Sequence, residues 1–379
     1  MYHILFKCST HIKNIKVRKS MNMKNQELIK EFQNIRRLTQ SSINTYNTVF
    51  KMYSEYNEKT LYELLEEAEQ EEEQGVRWKH RKLKKRLIEF RGYLYDNYLK
   101  NSARTLFSKI LTLYRTYEIE IHDLPSISEK NINTPSPITF RELPTIEIIR
   151  EAIDIANPLM KAVILFMSSS GTARRETLNL TIHDFIDATK DYHNTEDIVE
   201  VLDFLHKRDD IIPLFYIRRQ KTGKYYYTCC SPEATSEITN YLLTREKLDN
   251  ESPLFKNSYY YMTVKFQEIN DTLNLGKVGV YNKFRSHMLR KFHASQLYNN
   301  GVSLEIVDAL QGRGKDSTHT SYFMEDPQKL KEVYINNMDC VTINLDVNSL
   351  DIKSPEYINL ENKLESKENE IKEIKDYYD

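Results

Sequence analysis

The sequence predicts a mainly α-helical protein in which a helical bundle precedes a mostly helical domain with a small antiparallel β-sheet. Three observations carry that expectation. Apolar residues recur at three- and four-residue spacing from Gln26 to about His122 and again over most of the stretch from Ile146 to Asn337. The chain holds only 9 glycines and 10 prolines in 379 residues, which leaves little material for tight hairpins. Between the two periodic blocks lies residues 123–143, DLPSISEKNINTPSPITFREL, which with Pro144 contains four of those prolines among Ser, Asn and Thr. It reads as an exposed linker.

Composition narrows the class. A hydrophobic fraction of 40% and a charged fraction of 29% describe a soluble globular protein. No apolar run reaches the length of a membrane span, so no membrane partner is expected. Cys8, Cys229, Cys230 and Cys340 form no CxxC hook, and the adjacent pair cannot close an ordinary disulfide, which points to reduced thiols and a cytoplasmic location. The start, MYHILFKCSTHIKNIKVRKS, is apolar and then basic, the reverse of a signal peptide. Met21 and Met23 are plausible alternative starts, and residues 1–24 are expected to be a disordered basic arm.

Residues 25–122 are expected to form the bundle. Ser41-Ser42 look like a cap ahead of Ile43, Tyr46, Val49, Phe50 and Tyr53. Leu61–Glu73 is apolar and then acidic, and Gly75 ends it. A third helix runs from Lys82 to Leu99, and Ser102 caps a fourth through Tyr117. Arg77, Lys79, Arg81, Lys82, Lys84, Lys85 and Arg86 make a basic stripe that suits contact with the phosphates of a duplex; pairing with the acidic run just before it is the competing reading. Residues 1–123 carry 23 Lys and Arg against 16 Asp and Glu, whereas the tail from Leu345 carries 5 against 10. A nucleic-acid-binding front and a solvated tail account for that asymmetry.

Residues 144–343 are expected to form the second domain. Thr145 caps a helix over Ile146–Ile155, Leu159–Met167 is an apolar helix, and Ser168-Ser169-Ser170-Gly171 turns the chain into TARRETLNL. Ile198–Phe204, Asp210–Tyr216 and Tyr225–Cys229 read as strands, with Lys221-Thr222-Gly223-Lys224 as a hairpin turn. Ser231 starts a helix through Leu243. In the tail, residues 344–379, Tyr357, Leu360, Leu364, Ile371, Ile374 and Tyr378 follow a heptad seam interrupted by Lys367, the pattern of a short coiled coil or docking helix.

The second domain also holds the parts for cutting a phosphodiester without a metal. Such a reaction needs guanidinium groups to hold the non-bridging oxygens, a nucleophile in line, and an acid for the leaving 5′ oxygen. A tyrosine is suited to the attack because its phenolate also leaves well, so the bond energy is kept for rejoining. Arg174 or Arg175 follows the Gly171 turn, Lys221 lies at the hairpin, His287 and Arg290 share a helix face, and Arg313 and Tyr322 come after. Clustered carboxylates with Mg²⁺ spacing and a P-loop are missing from the sequence, so neither metal nor nucleotide cofactor is expected.

That order resembles the tyrosine recombinases of the phage-integrase family, whose signature runs Arg, Lys, His-x-x-Arg, His or Trp, then Tyr. His287-Met288-Leu289-Arg290 with Lys291-Phe292-His293-Ala294-Ser295 is similar to the family's HxLRHxFAT helix. Leu310-Gln311-Gly312-Arg313 stands where the family has leucine, glycine and histidine, and Tyr322 follows nine residues later. Ser170-Gly171 through Glu176 and Leu180 resembles the first-arginine motif, although the usual arginine position, three before the glutamate, is Ala173.

The resemblance implies that Arg174 and Arg290 clamp the scissile phosphate, with His287 and Arg313 completing the cage, and that Glu176 orients an arginine. Lys221, or Lys224 on the same turn, would protonate the leaving oxygen, and Tyr322 would form a 3′-phosphotyrosyl link. It further implies a site-specific recombinase or integrase whose partner is duplex DNA, assembled as a homotetramer on two DNA sites, with an accessory DNA-bending or directionality factor. Arginine in place of histidine at 313 cannot act as a base at neutral pH, which keeps open a DNA-binding protein that has lost cleavage; a type IB topoisomerase-like enzyme is the other alternative.

Overall fold

The computed structural model describes residues 23–127, 138–313, 326–344 and 353–378. The expected basic arm thus falls almost wholly outside the described residues, as does Tyr322. The chain divides into two compact units, Met1–Ser136 and Pro137–Asp379.

The first unit is helical in its described residues: α1 (residues 23–35), α2 (Gln40–Asn57), α3 (Leu61–Glu73), α4 (Lys82–Asn97) and α5 (Lys100–Thr116). Thr39 caps α2 through its side chain, so the start lies ahead of the Ser41-Ser42 pair expected to do so. Thr60 and Glu63 form a reciprocal capping box at α3. Residue 102 sits inside α5, which begins after Leu99 with no side-chain cap, and α4 ends at Asn97 because Tyr98 is extended. Phe32, Phe50, Tyr53, Leu87, Phe90 and Tyr114 fill the centre of this unit. The only polar groups among these six residues, the Tyr53 and Tyr114 hydroxyls, meet at 3.0 Å.

The second unit is organised around α7 (Pro158–Ser170), whose residues are buried from Ala162 through Ser170. A helix apolar on all sides has to be surrounded. It is enclosed by α6 (Ile146–Asp154), α11 (Pro232–Leu243) and α13 (Ser286–Asn299), with α8 (Arg174–Asn179) continuing from its end. Thr145 caps α6 and Ser231 caps α11, each by accepting from a main-chain N–H. Next come α9 (Ile182–Thr189), α10 (Ile198–His206), β1 (Leu214–Arg218) and β2 (Tyr225–Cys229). β1 and β2 are antiparallel, with Leu214 opposite Cys229 and Arg218 opposite Tyr225. The remaining described elements are α12 (Tyr259–Thr272), the short antiparallel pair β3 (Lys277–Val278) and β4 (Tyr281–Asn282), α14 (Leu304–Leu310), α15 (Pro327–Ile335) and α16 (Pro355–Tyr378).

Two of the three expected strands need correction. Ile198–Phe204 is helical, as part of α10: Asp197 accepts from the N–H groups of Val199 and Glu200, and Ile198, Val201, Leu202 and Leu205 are buried while Val199 is exposed. That spacing is helical, and the β-branched residues concealed it. Pairing over the expected Asp210–Tyr216 strand begins only at Leu214, after Pro213, which has no N–H to give to a ladder. The β3–β4 pair is an addition that the sequence reading lacked.

Long-range bonds close the unit. The Tyr334 hydroxyl donates to the Ser169 carbonyl at 3.0 Å, Arg150 donates to the Ile343 carbonyl at 2.7 Å, and Glu233 accepts from the N–H of Asn344 at 2.9 Å. Ile358 of α16 is buried and Glu361 faces Arg208 at 3.5 Å, whereas Tyr357, Leu360, Leu364 and Ile371 of the expected seam are exposed. Among the described residues no helix is long and apolar enough to cross a membrane.

Candidate active site

The site is built where α7 ends. Ser169 and Ser170 return their hydroxyls to the carbonyls of Leu165 and Phe166, and Gly171 turns the chain with φ 65°. A side chain at 171 would meet His293 Nδ1 at 2.4 Å and Gln311 Nε2 at 2.7 Å, so α13 and the residue after α14 can approach this turn only because it is glycine.

Arg290 lies in that gap, 5% exposed. Its Nη1 donates to the Gly171 carbonyl at 2.6 Å and its Nη2 to the Gln311 carbonyl at 2.7 Å. Burial, and then the neighbouring Arg219 guanidinium, bring its pKa down to about 10. It therefore remains a cation at neutral pH.

Glu176 supplies the counter-charge. Its Oε2 accepts from the N–H of Ala173 at 2.9 Å and from the Tyr226 hydroxyl at 3.4 Å, and lies 3.9 Å from Arg290 Nη1. Its Oε1 lies 3.8 Å from Arg219 Nη1. One nearly buried carboxylate thus faces two guanidinium groups, an arrangement that offsets the cost of burying any of the three alone.

Of the paired candidates Arg174 and Arg175, the first is held by a dedicated set of partners. Arg174 Nε donates to Ser286 Oγ at 2.9 Å, its Nη1 donates to Thr263 Oγ1 at 2.7 Å, and its guanidinium lies 4.5 Å from the centre of the Tyr259 ring. Arg175 is exposed. Because Ser286 opens α13, Arg174 is tied to the start of the helix that carries His287 and Arg290.

His287 is exposed on α13. Partial desolvation, then Lys291, Arg285, Arg290 and Arg313, hold its pKa below the ordinary histidine value. Arg313 follows the α14 turn, where its N–H donates to the Asp308 carbonyl at 2.8 Å and its Nη1 to Asp308 Oδ1 at 3.1 Å. The preceding Gly312 has φ 59°, and a side chain there would strike the Tyr226 ring at 2.4 Å. Lys221 and Lys224 are both exposed on the β1–β2 turn, which Arg219 closes by donating its N–H to the Lys224 carbonyl at 2.7 Å.

Three residues at the centre were not among the sequence candidates. His293 is fully buried with its Nδ1 2.9 Å from Gln311 Nε2, and burial followed by the charges of Arg290 and Arg313 lowers its pKa to about 3. Gln311 is fully buried and also donates from Nε2 to the Arg290 carbonyl at 2.9 Å. Arg219 donates from Nη1 to the Gln311 carbonyl at 2.9 Å. The sequence signal for Arg219 was its position two residues before Lys221; for Gln311 it was a polar residue directly after an apolar helix and before glycine.

In the first unit the basic stripe separates into two groups. Arg77, Lys79, Lys82 and Lys85 are exposed and Lys84 is half-buried. Lys82 lies 3.5 Å from Glu67, and Lys85 3.8 Å from Glu89. Arg81, expected to contact phosphate, is buried instead, donating to Glu72 Oε1 at 2.6 Å and to the Val76 carbonyl at 3.0 Å. The acid preceding the stripe draws it inward, and Arg86 likewise meets Glu67 at 3.0 Å.

Residues 145–329 match the phage integrase family. The chain is 24% identical over 259 residues to the tyrosine recombinase XerC of Thermodesulfovibrio yellowstonii (strain ATCC 51303 / DSM 11347 / YP87), a match covering 65% of this chain and 80% of the relative. Similar solved structures include the XerH site-specific recombinase bound to difH substrate in a pre-cleavage complex, with 20% identity, 81% and 83% of the two chains covered and a TM-score of 0.47. The XerA recombinase is another, at 15% identity, 83% and 98% coverage and a TM-score of 0.34.

Proposed function

We propose that this protein is a site-specific DNA recombinase of the phage integrase family, which residues 145–329 match, acting through a covalent 3′-phosphotyrosyl intermediate. The observation that carries the reading is the convergence of Arg290 and Glu176, from distant parts of the sequence, with the Arg290 and Arg313 charges near enough to His287 to help lower its pKa. The guanidinium groups of this cluster suit a phosphodiester whose negative charge grows in the transition state.

In this reading the Tyr322 oxygen attacks phosphorus in line, the bond to the 5′ oxygen breaks with its electron pair, and Lys221 gives that oxygen a proton. Arg174 and Arg290 hold the non-bridging oxygens, and Arg313 donates to one of them as a fixed cation. His287, with its lowered pKa, is a neutral donor at pH 7. Attack of a 5′ hydroxyl on the phosphotyrosine reverses the step and joins a new strand. No metal ion or nucleotide is required. Duplex DNA is the substrate, and a homotetramer on two sites performs the paired exchanges, with an accessory bending or directionality factor selecting the outcome. The exposed part of the basic stripe, Arg77, Lys79, Lys82 and Lys85, contributes phosphate contacts from the first unit, together with the half-buried Lys84.

The test is a pool of nicked suicide duplexes with randomised cores, incubated with the full chain and resolved under denaturing conditions. A covalent protein–DNA adduct is expected from the wild type and none from Tyr322→Phe. An adduct that survives in Tyr322→Phe, or none in the wild type across the pool, overturns the proposal.

A further inference from the structure

Arg219 takes no part in the chemistry assigned above, yet three parts of the site meet at its side chain. Its main chain belongs to the turn that presents Lys221: the N–H donates to the Lys224 carbonyl at 2.7 Å and the carbonyl accepts from the Gly223 N–H at 2.8 Å. Its guanidinium turns away from solvent, with the side chain 16% exposed, and donates to the Gln311 carbonyl at 2.9 Å. Arg290 donates to that same oxygen at 2.7 Å. One main-chain oxygen therefore joins the hairpin, α13 and the turn after α14. Two guanidinium groups converge there because Glu176 places one carboxylate oxygen toward each, at 3.8 and 3.9 Å.

Without that bond the hairpin would carry Lys221 on a turn whose side chains at 220–224 are all exposed. Proton transfer to a leaving oxygen falls steeply with misplacement, so an exposed lysine needs its backbone anchored to the groups that hold the phosphate. Resting on the recombinase reading above, we propose that Arg219 is a positioning residue for leaving-group protonation: its bond to the Gln311 carbonyl fixes the Lys221 turn against Arg290. Arg219 itself transfers no proton, since a guanidinium stays charged at neutral pH. The proton moves from Lys221 to the 5′ oxygen as the phosphorus–oxygen bond breaks.

The test compares two leaving groups. Single-turnover adduct formation is measured on a nicked duplex cleaved by the wild type and on the same duplex with sulfur replacing the bridging 5′ oxygen. A thiolate leaves without a proton. Arg219→Gln is expected to slow adduct formation roughly 100-fold or more on the oxygen substrate and to approach the wild-type rate on the sulfur substrate, the pattern also expected of Lys221→Ala. Arg219→Lys, which keeps the charge but not the fork, is expected to show the same selective rescue with a smaller loss. Rescue by sulfur also demonstrates that each variant is folded. Equal slowing on both substrates, or no slowing on oxygen, overturns the inference alone. A wild type that forms no adduct on either substrate overturns the recombinase reading and this inference with it.

Discussion

Arg290 and Gly171, separated by 119 positions, are joined by a 2.6 Å hydrogen bond from the guanidinium to the turn carbonyl. The bond fixes α13 against the end of α7. It also makes a backbone turn part of the scaffold for a charged side chain, so the turn and the cation are sensitive to the same perturbation.

Gly171→Ala tests that coupling. The added carbon would lie 2.4 Å from His293 Nδ1 in a backbone conformation that L-residues seldom adopt. Stability should fall by about 2–4 kcal/mol, from overpacking and a positive φ together, read as a lower urea midpoint. Arg290→Lys, which cannot serve both carbonyls with a planar fork, should lose about 1–3 kcal/mol in the same assay.

Acid stability should report His293. Its folded-state pKa is depressed to about 3, so on acidification the unfolded chain binds a proton near the ordinary histidine pKa while the folded chain does not. The contribution is complete above about pH 6.5 and is lost as pH falls toward about 3, with roughly 2 kcal/mol gone by about pH 4.5. Urea titrations of wild type and His293→Gln at both pH values measure it. The variant should lose less stability over that interval; an identical loss would remove His293 as the cause.

The Tyr53–Tyr114 pair offers a test confined to the first unit. Tyr114→Phe leaves the buried Tyr53 hydroxyl without its 3.0 Å partner and should cost about 1–3 kcal/mol. The double Phe variant should be more stable than either single one, because it leaves no orphaned hydroxyl.

The stripe should divide by function. Lys79→Ala and Lys85→Ala are expected to reduce the slope of log affinity against log salt by about one each if they contact phosphate, without sequence preference. Arg81→Ala should instead lower stability by about 1–2 kcal/mol, since Glu72 loses its 2.6 Å partner. Binding across a salt series, with melting curves alongside, distinguishes the two classes.

Much of the helical plan was readable because single residues announce it. Thr145 and Ser231 cap helices where a hydroxyl precedes an apolar-periodic run, and α7 is apolar throughout Ala162–Met167. Ile198–Phe204 was misread because helical and extended periods overlap in a short apolar run, and only the Asp197 cap distinguishes them. The residues around the proposed chemistry carry a motif order, and a motif order is visible in one dimension. Arg219 and Gln311 carry none. Their roles come from one carbonyl oxygen, and no side-chain pattern encodes which carbonyl a distant arginine will find.

The Tyr334 hydroxyl bonded to the Ser169 carbonyl has a consequence for biosynthesis. Ser169 lies two residues before the Gly171 turn, and its carbonyl is met from α15, 165 positions later. Glu233 and Arg150 likewise bond to residues 343 and 344. A chain still on the ribosome has made its arginine-bearing helices long before these late residues emerge. The centre around Arg290 and Glu176 therefore matures only after residue 344 has been made, and a chain cut short before that point lacks the fastenings that hold the centre in shape.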